Sequence, residues 1–216
     1  MALDEYGELK HRGLDRIMGL SDGIFAFAIT LMVLDLVVPV RGLGQDPSAL
    51  PGLLATEWVG FLNYFLSFFI VAIWWNAHHR IFEHVTGYDG RLKALNLLVL
   101  LTVTLVPFLT KLYDNWQLSV LAPALYSLDQ AAAGAFLTLL WLHVTKGRKF
   151  VAKGIDERLV KRVLLGTMSA SLMFAASVPF AFVEPRLPQV VWLATAPVAY
   201  LVRRTHGGKG AKAREL

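Results

Sequence analysis

The chain has 216 residues, 56% of them hydrophobic and only 17% charged, with a mean hydropathy of +0.52. Soluble domains average roughly 45–50% apolar and 25% charged, so this balance points to a membrane protein. The absence of cysteine excludes a disulfide framework, a thiolate nucleophile and a cysteine metal site; the net charge of +5 is grouped in loops and tail beside apolar runs, where it suits topology and anionic lipid better than nucleic acid.

The N-terminus, MALDEYGELKHRG, is polar and acidic, without the basic start and short apolar core of a cleaved signal peptide. A first span is predicted over 20–39, within RIMGLSDGIFAFAITLMVLDLVVPV, long enough as a helix to cross a hydrocarbon core of about 30 Å. An aspartate at the centre of such a helix costs on the order of 3 kcal/mol, and Asp22 and Asp35 both stand near its ends. Phe27, Thr30 with Leu31, and Leu34 follow an i, i+3/i+4, i+7 spacing and so share one face. That face either lines a narrow path or packs on neighbouring helices; periodicity alone does not separate the two.

Residues 41–57 carry GLGQDPSALPG and read as a loop with one short turn. The second span, 58–79, holds Asn63 and Ser67 and leaves the bilayer through Asn76, Ala77, His78, His79 and Arg80. The third, 92–112, has Asn96, Thr102 and Thr104 as its polar members, with Pro107 as an expected kink. The fourth, 118–144, carries Asp129, which either serves as an intramembrane ion or proton site or marks a polar patch at the outer end. The segment KGRKFVAKGIDERLVKR is too charged to enter lipid; spans at 163–183 and 190–202 follow, and 206–216 reads as a disordered basic tail. The expectation is an all-α integral membrane bundle of six transmembrane helices, with residues 1–205 forming one domain.

Lysine and arginine fix the orientation. The N-terminus (Lys10, Arg12, Arg16), the loop with Arg80, Arg91 and Lys93, the loop 145–162 and the tail fall on one side, against only Arg41, Lys111 and Arg186 on the other. Basic loops stay cytoplasmic, so a multi-pass protein of the cell membrane with both termini inside is the consistent solution.

His78 and His79 are predicted at the same membrane level as Arg16, Ser21 and Asp22, where they either form a hydrogen-bonded clasp that titrates near neutral pH or act as interfacial anchors. Adjacent histidines diverge on a helix, unlike the i, i+4 pair of a helix-borne zinc site, and no metal site or cofactor is expected. The hydroxyls of Thr102 and Thr104 are expected to bond backbone carbonyls of their own helix at i−4. No GxSxG, HExxH, Walker loop or strand-borne GxGxxG is present, so no enzyme template fits.

Arg16, three spacers, Leu20-Ser21-Asp22-Gly23, then Ala26 and Thr30-Leu31 resemble the RxxxFSD signature opening the first helix of the transmembrane protein 175 family. The resemblance extends through WWNAHHRIF and the LNLL…PF run, covering the first three spans. Leu20 stands where the family has Phe. The resemblance implies a homotetrameric, potassium-permeable channel whose first helices line a central pore in membrane lipid. It implies a gate at Phe27, where the family usually has Ile or Leu, with Thr30, Leu31 and Leu34 one turn and more beyond. Arg16, Leu20, Ser21, Asp22 and His78 or His79 are then the network tying helix one to helices two and three, and charging either histidine at low pH is expected to bias opening. No TVGYG-type filter is present, so selectivity by a ring of backbone carbonyls is not expected. Two alternatives remain from the residues themselves: a proton- or ion-coupled secondary transporter using Asp129, and a non-conducting membrane scaffold.

Overall fold

The computed structural model describes residues 2–36, 47–152 and 154–205. Its helices are α1 (Ala2–Leu31), α2 (Leu50–Thr56), α3 (Trp58–Phe82), α4 (Gly90–Asn115), α5 (Leu121–Thr145), α6 (Glu157–Ala181) and α7 (Leu187–Thr205). The one strand-like feature among the described residues is an isolated antiparallel bridge between Val85 and Val151. The fold is all-helical, as expected.

Local chemistry explains the boundaries. Asp89 sits in extended backbone and accepts the Leu92 N–H at 2.8 Å, an N-cap that starts α4. Asp156 accepts the Arg158 N–H at 2.8 Å at the start of α6, and Glu157 adds negative charge to that first turn. After α5 the chain reverses through Gly147, whose φ of 66° is open to glycine at no steric cost.

Three elements differ from expectation. The connector before the second span is more helical than a single turn: a 3-10 turn at Pro47–Ala49 leads into α2, because Pro51 falls in the first turn, where its missing N–H has no partner to lose. The polar N-terminus is already helical and continuous with the first span. At the other end α-helical geometry stops at Leu31 and tightens into a 3-10 turn, Met32–Asp35, so helix one is not uniform to its end; residues 37–39 of the predicted span lie outside the described residues, as does the predicted tail 206–216.

Among the described residues, five helices are long and apolar enough to cross a membrane: Arg12–Leu34, Trp58–Phe82, Gly90–Asn115, Leu121–Arg148 and Glu157–Ala181. The predicted sixth span falls in α7, which has 19 residues with Pro197 inside and is not one of those five. The chain is thus a membrane protein with several apolar helices.

Helix α5 occupies the middle of the bundle, packed most extensively on α6 and α4, with α7 against α6; α1 rests on α4 and α3 at the periphery. Gly134 permits the close approach of α5 and α6: a Cβ there would stand 2.7 Å from Ser171 Cβ and 3.0 Å from its Cα. Among the described residues, buried side-chain polar atoms find partners, as a low-dielectric interior demands, with Arg162 Nε at the start of α6 as the exception. The hydroxyls of Ser67, Thr110 and Tyr126 meet at 2.9 and 3.1 Å, and the Trp192 indole donates to Ser127 Oγ at 3.1 Å.

The loops after α3 and α5 meet at one end, where the Thr86 N–H donates to the Phe150 carbonyl at 2.9 Å. There His143 Nε2 lies 3.0 Å from Asp89 Oδ1. Toward the other end, Asn63 donates to Asp114 at 2.9 Å and accepts from Gln189 Nε2 at 2.7 Å.

Candidate functional site

The two faces of α1 have different fates. Leu14, Ser21, Phe25, Ala28 and Met32 recur at i, i+4 and i+7 and are buried, Phe25 and Met32 each 1% exposed. The opposite face carries Leu20, Phe27, Thr30 and Leu34; Phe27 is 61% and Leu34 74% exposed, although both are large and apolar. Leu31 lies between the faces and is half-buried. Thr30 donates to the Phe27 carbonyl at 2.9 Å, which leaves its oxygen lone pairs turned outward from the helix ladder. Gly19 and Gly23 stand on or beside the same open face, with nothing within 4 Å of where a Cβ would be.

A directed chain of hydrogen bonds fixes the buried face. Asn96 of α4 donates from Nδ2 to Ser21 Oγ at 3.0 Å, and Ser21 in turn donates to the Ile17 carbonyl at 2.8 Å. The Oδ1 of Asn96 lies 2.7 Å from His78 Nε2. An amide carbonyl only accepts, so the imidazole proton sits on Nε2 and the chain runs His78 to Asn96 to Ser21. His78 is buried between Phe82, whose ring stacks at 4.4 Å, and Phe25 at 5.5 Å. Helices α1, α3 and α4 are therefore joined at one level by three side chains.

A second, exposed link lies beside it. The Trp75 indole donates to Asp22 Oδ1 at 3.0 Å, and the His79 ring stacks on Trp75 at 5.4 Å and 20° while its Nε2 lies 3.4 Å from Glu83. Of the residues singled out in the sequence, Ser21, Asp22, His78 and His79 gather here. Arg16 is exposed and forms no ion pair among the described residues, and Leu20 points away from the junction onto the open face.

Sequence reasoning passed over Asn96 and Trp75. Asn96 carried a signal: a primary amide in an apolar span must find both a donor and an acceptor, and only neighbouring helices supply them. Asp129 is half-buried and accepts from Gln130 Nε2 at 2.9 Å, while Gln130 Oε1 accepts from the Trp74 indole at 2.8 Å. Thr102 and Thr104 do bond their own helix, at i−3 rather than i−4, through the carbonyls of Val99 and Leu101.

The profile of a family described as endosomal/lysosomal potassium channel TMEM175 matches residues 16–107, the stretch that contains this entire junction. A potassium channel of Streptomyces collinus is 33% identical over 176 residues, spanning 80% of this chain and 84% of that protein. The chain belongs to the TMEM175 family. A potassium channel of Chamaesiphon minutus is 32% identical over 154 residues, 68% of this chain and 74% of its own length. The crystal structure of a lysosomal potassium-selective channel TMEM175 homolog from Chamaesiphon minutus superposes with a TM-score of 0.73 at 25% identity, covering 91% of this chain and all of that one. The TMEM175 fold thus extends over nearly the whole chain, beyond the three helices that carry the sequence signature.

Proposed function

We propose that this protein is a potassium-permeable channel of the cell membrane, assembled as a homotetramer around four copies of α1. The observation that carries the reading is the open face of that helix. Phe27 and Leu34 stay exposed while Phe25 and Met32, on the same helix, are fully buried. One face of α1 is buried by α3 and α4, and the other is left open, where closed rotational symmetry would bring the identical faces of four copies together around an axis. Gly19 and Gly23 lower the steric barrier to close approach at one end of that face.

In this arrangement Phe27, Thr30, Leu31 and Leu34 line the path, and the bulky rings narrow it until water is excluded. Because the sequence contains no TVGYG-type loop, discrimination among cations rests on side chains and pore width rather than on rings of backbone carbonyls. Ser21, Asp22, His78 and His79, with Asn96 and Trp75, form the junction against which α1 shifts when the pore opens, while Arg16 and Leu20 flank it on the exposed side of the helix. Both termini face the cytoplasm, and α7 completes the bundle as a sixth, short span. Support comes from the potassium-channel relatives, from the basic loops gathered at one end, and from the solved relative whose fold the chain shares.

The test is potassium flux into liposomes holding the purified protein. Replacing Phe27 with Ala removes the largest side chain on the open face without touching the buried one. Flux is expected to rise about tenfold, the effect of lowering a barrier by about 1.4 kcal/mol. Unchanged flux on Phe27→Ala, in protein that remains folded, removes Phe27 from the pore. A gradient-driven accumulation of substrate that depends on Asp129 would instead identify a coupled transporter.

A further inference from the structure

Between the end of α5, the 3-10 turn Lys146–Arg148 and the start of α6 lies a cavity of about 540 Å³, the size of a small-ligand site. Its apolar lining is buried or half-buried at Val151, Ile155 and Val160, with the more exposed Leu142 and the half-buried Thr145 beside them. Its mouth carries Lys146, Arg148, Lys161 and Glu157. Behind it the Trp141 indole donates to the Val160 carbonyl at 3.0 Å, so the two helices that frame the cavity are pinned together. None of these residues belongs to the α1 junction.

From these observations we infer that the cavity binds an anionic phospholipid, headgroup at the mouth and upper acyl chain against the wall. Arg148 already has a carboxylate, Glu157 at 2.9 Å, but Lys146 and Lys161 form no ion pair among the described residues. The mouth therefore carries two unanswered positive charges, which a phosphodiester with a net negative charge answers and a zwitterionic headgroup does not. The position matches: the cavity is lined by residues at the end of the membrane-length apolar helix Leu121–Arg148, on the side with the basic loops, where headgroups would lie. A free phosphate would leave most of the volume and all of the apolar wall unused.

The backbone supplies an independent observation. Arg148, at φ 53°, is the one non-glycine residue with positive φ among the described residues, directly after Gly147 at 66°. An L-residue held in the left-handed region costs about 1 kcal/mol or more and persists where the surroundings require it. This left-handed pair lies in the Lys146–Arg148 turn, whose two basic side chains line the cavity.

The experiment uses the full chain in a neutral maltoside detergent, titrated with dioleoylphosphatidylglycerol or dioleoylphosphatidylcholine, with bound lipid counted by native mass spectrometry. Phosphatidylglycerol is expected to be retained at least about tenfold more tightly. Replacing both free lysines, Lys146→Gln with Lys161→Gln, should weaken that retention about thirtyfold, at about one kilocalorie per charge. Leu142→Trp, which fills the cavity without changing charge, should weaken it too. The pair Lys149→Gln with Arg158→Gln removes the same charge outside the cavity lining and should leave retention within about twofold. Equal retention of the two lipids, an unaffected Lys146/Lys161 variant, or an equal loss in the Lys149/Arg158 variant overturns the proposal. Displacement of the lipid by millimolar inorganic phosphate overturns it in favour of a free-anion site.

Discussion

Helices α1 and α5 are both long and apolar, yet they relate to the rest of the chain in opposite ways. Helix α5 touches α4, α6 and α7, and its polar side chains at Ser127, Gln130 and Thr138 all find partners inside the bundle. Helix α1 is held on one side only, by α4 and α3, and its other side shows bulky apolar groups to the outside. In an apolar 18-residue stretch of the span containing α1 only 22% of the residues are buried, against 44% in the corresponding stretch of the span containing α5. In water such a face would be a liability; in lipid it costs little, so packing within one chain gives α1 no reason to hide it. The chain completes its fold around α5 and leaves α1 for whatever lies beyond the chain.

Glycine substitutions break that comparison most sharply. At Gly134 on α5 even a Cβ meets Trp74 at 2.9 Å and the Ser171 main chain at 3.0 Å, so Gly134→Leu has nowhere to put its side chain. A loss of about 3 kcal/mol or more is expected, read as a collapse of the folded fraction in detergent. Gly23→Leu on α1 meets nothing within 4 Å of its Cβ and should leave the dissociated monomer as stable as before, or slightly more helical. On the proposed tetramer its effect should appear as a change in assembly or flux, not in the fold of the single chain. Equal damage to the monomer from both substitutions would show that the α1 face is already occupied within the chain.

The next largest effect concerns the link between α1 and the bundle. Asn96→Ala leaves the buried Nε2–H of His78 without an acceptor and Ser21 without a donor. A cost of about 2 kcal/mol is expected, seen as a lowered melting temperature. Ser21→Ala removes one acceptor and leaves the His78 to Asn96 bond standing, so about 1 kcal/mol is expected. If Asn96→Ala melts like the unmodified protein, α1 is held by apolar packing alone.

That Phe27, Thr30 and Leu34 share one face was legible because helical periodicity places them together whatever surrounds them, whereas Leu31, on the same spacing, turns out half-buried between the faces. Which face of α1 turns inward was not legible, since Phe25 and Met32 are as greasy as Phe27 and Leu34, and only the position of α3 and α4 decides between them. The RxxxLSD motif pointed to the family through its own residues, yet the atoms that join Ser21 to His78 belong to Asn96, 75 positions from Ser21, and a pattern read along one helix does not reach across to another. The 3-10 turn at Met32–Asp35 carries no glycine or proline to announce it. Conversely, proline at position 51 suggested a loop where it was compatible with a helix start.

The smallest expected effect lies far from α1, at the cap of α4, where the bundle end around α5 is tied by charge. The Leu92 N–H bond to Asp89 holds that carboxyl below its ordinary value, helped by His143 and Lys149 against the cost of partial burial. A depressed carboxylate stabilises the fold above its unfolded pKa and loses that contribution as pH falls through the folded value, so melting temperature should decline on acidification below about pH 4. Asp89 is partly exposed, which screens the interaction and keeps the effect small. Asp89→Asn retains a capping oxygen and should flatten only this acid limb, whereas Asp89→Ala loses the cap and should cost about 1 kcal/mol at neutral pH as well. An Asp89→Asn protein with the unmodified acid limb would assign that limb to other carboxylates and leave Asp89 as a cap whose charge does not matter.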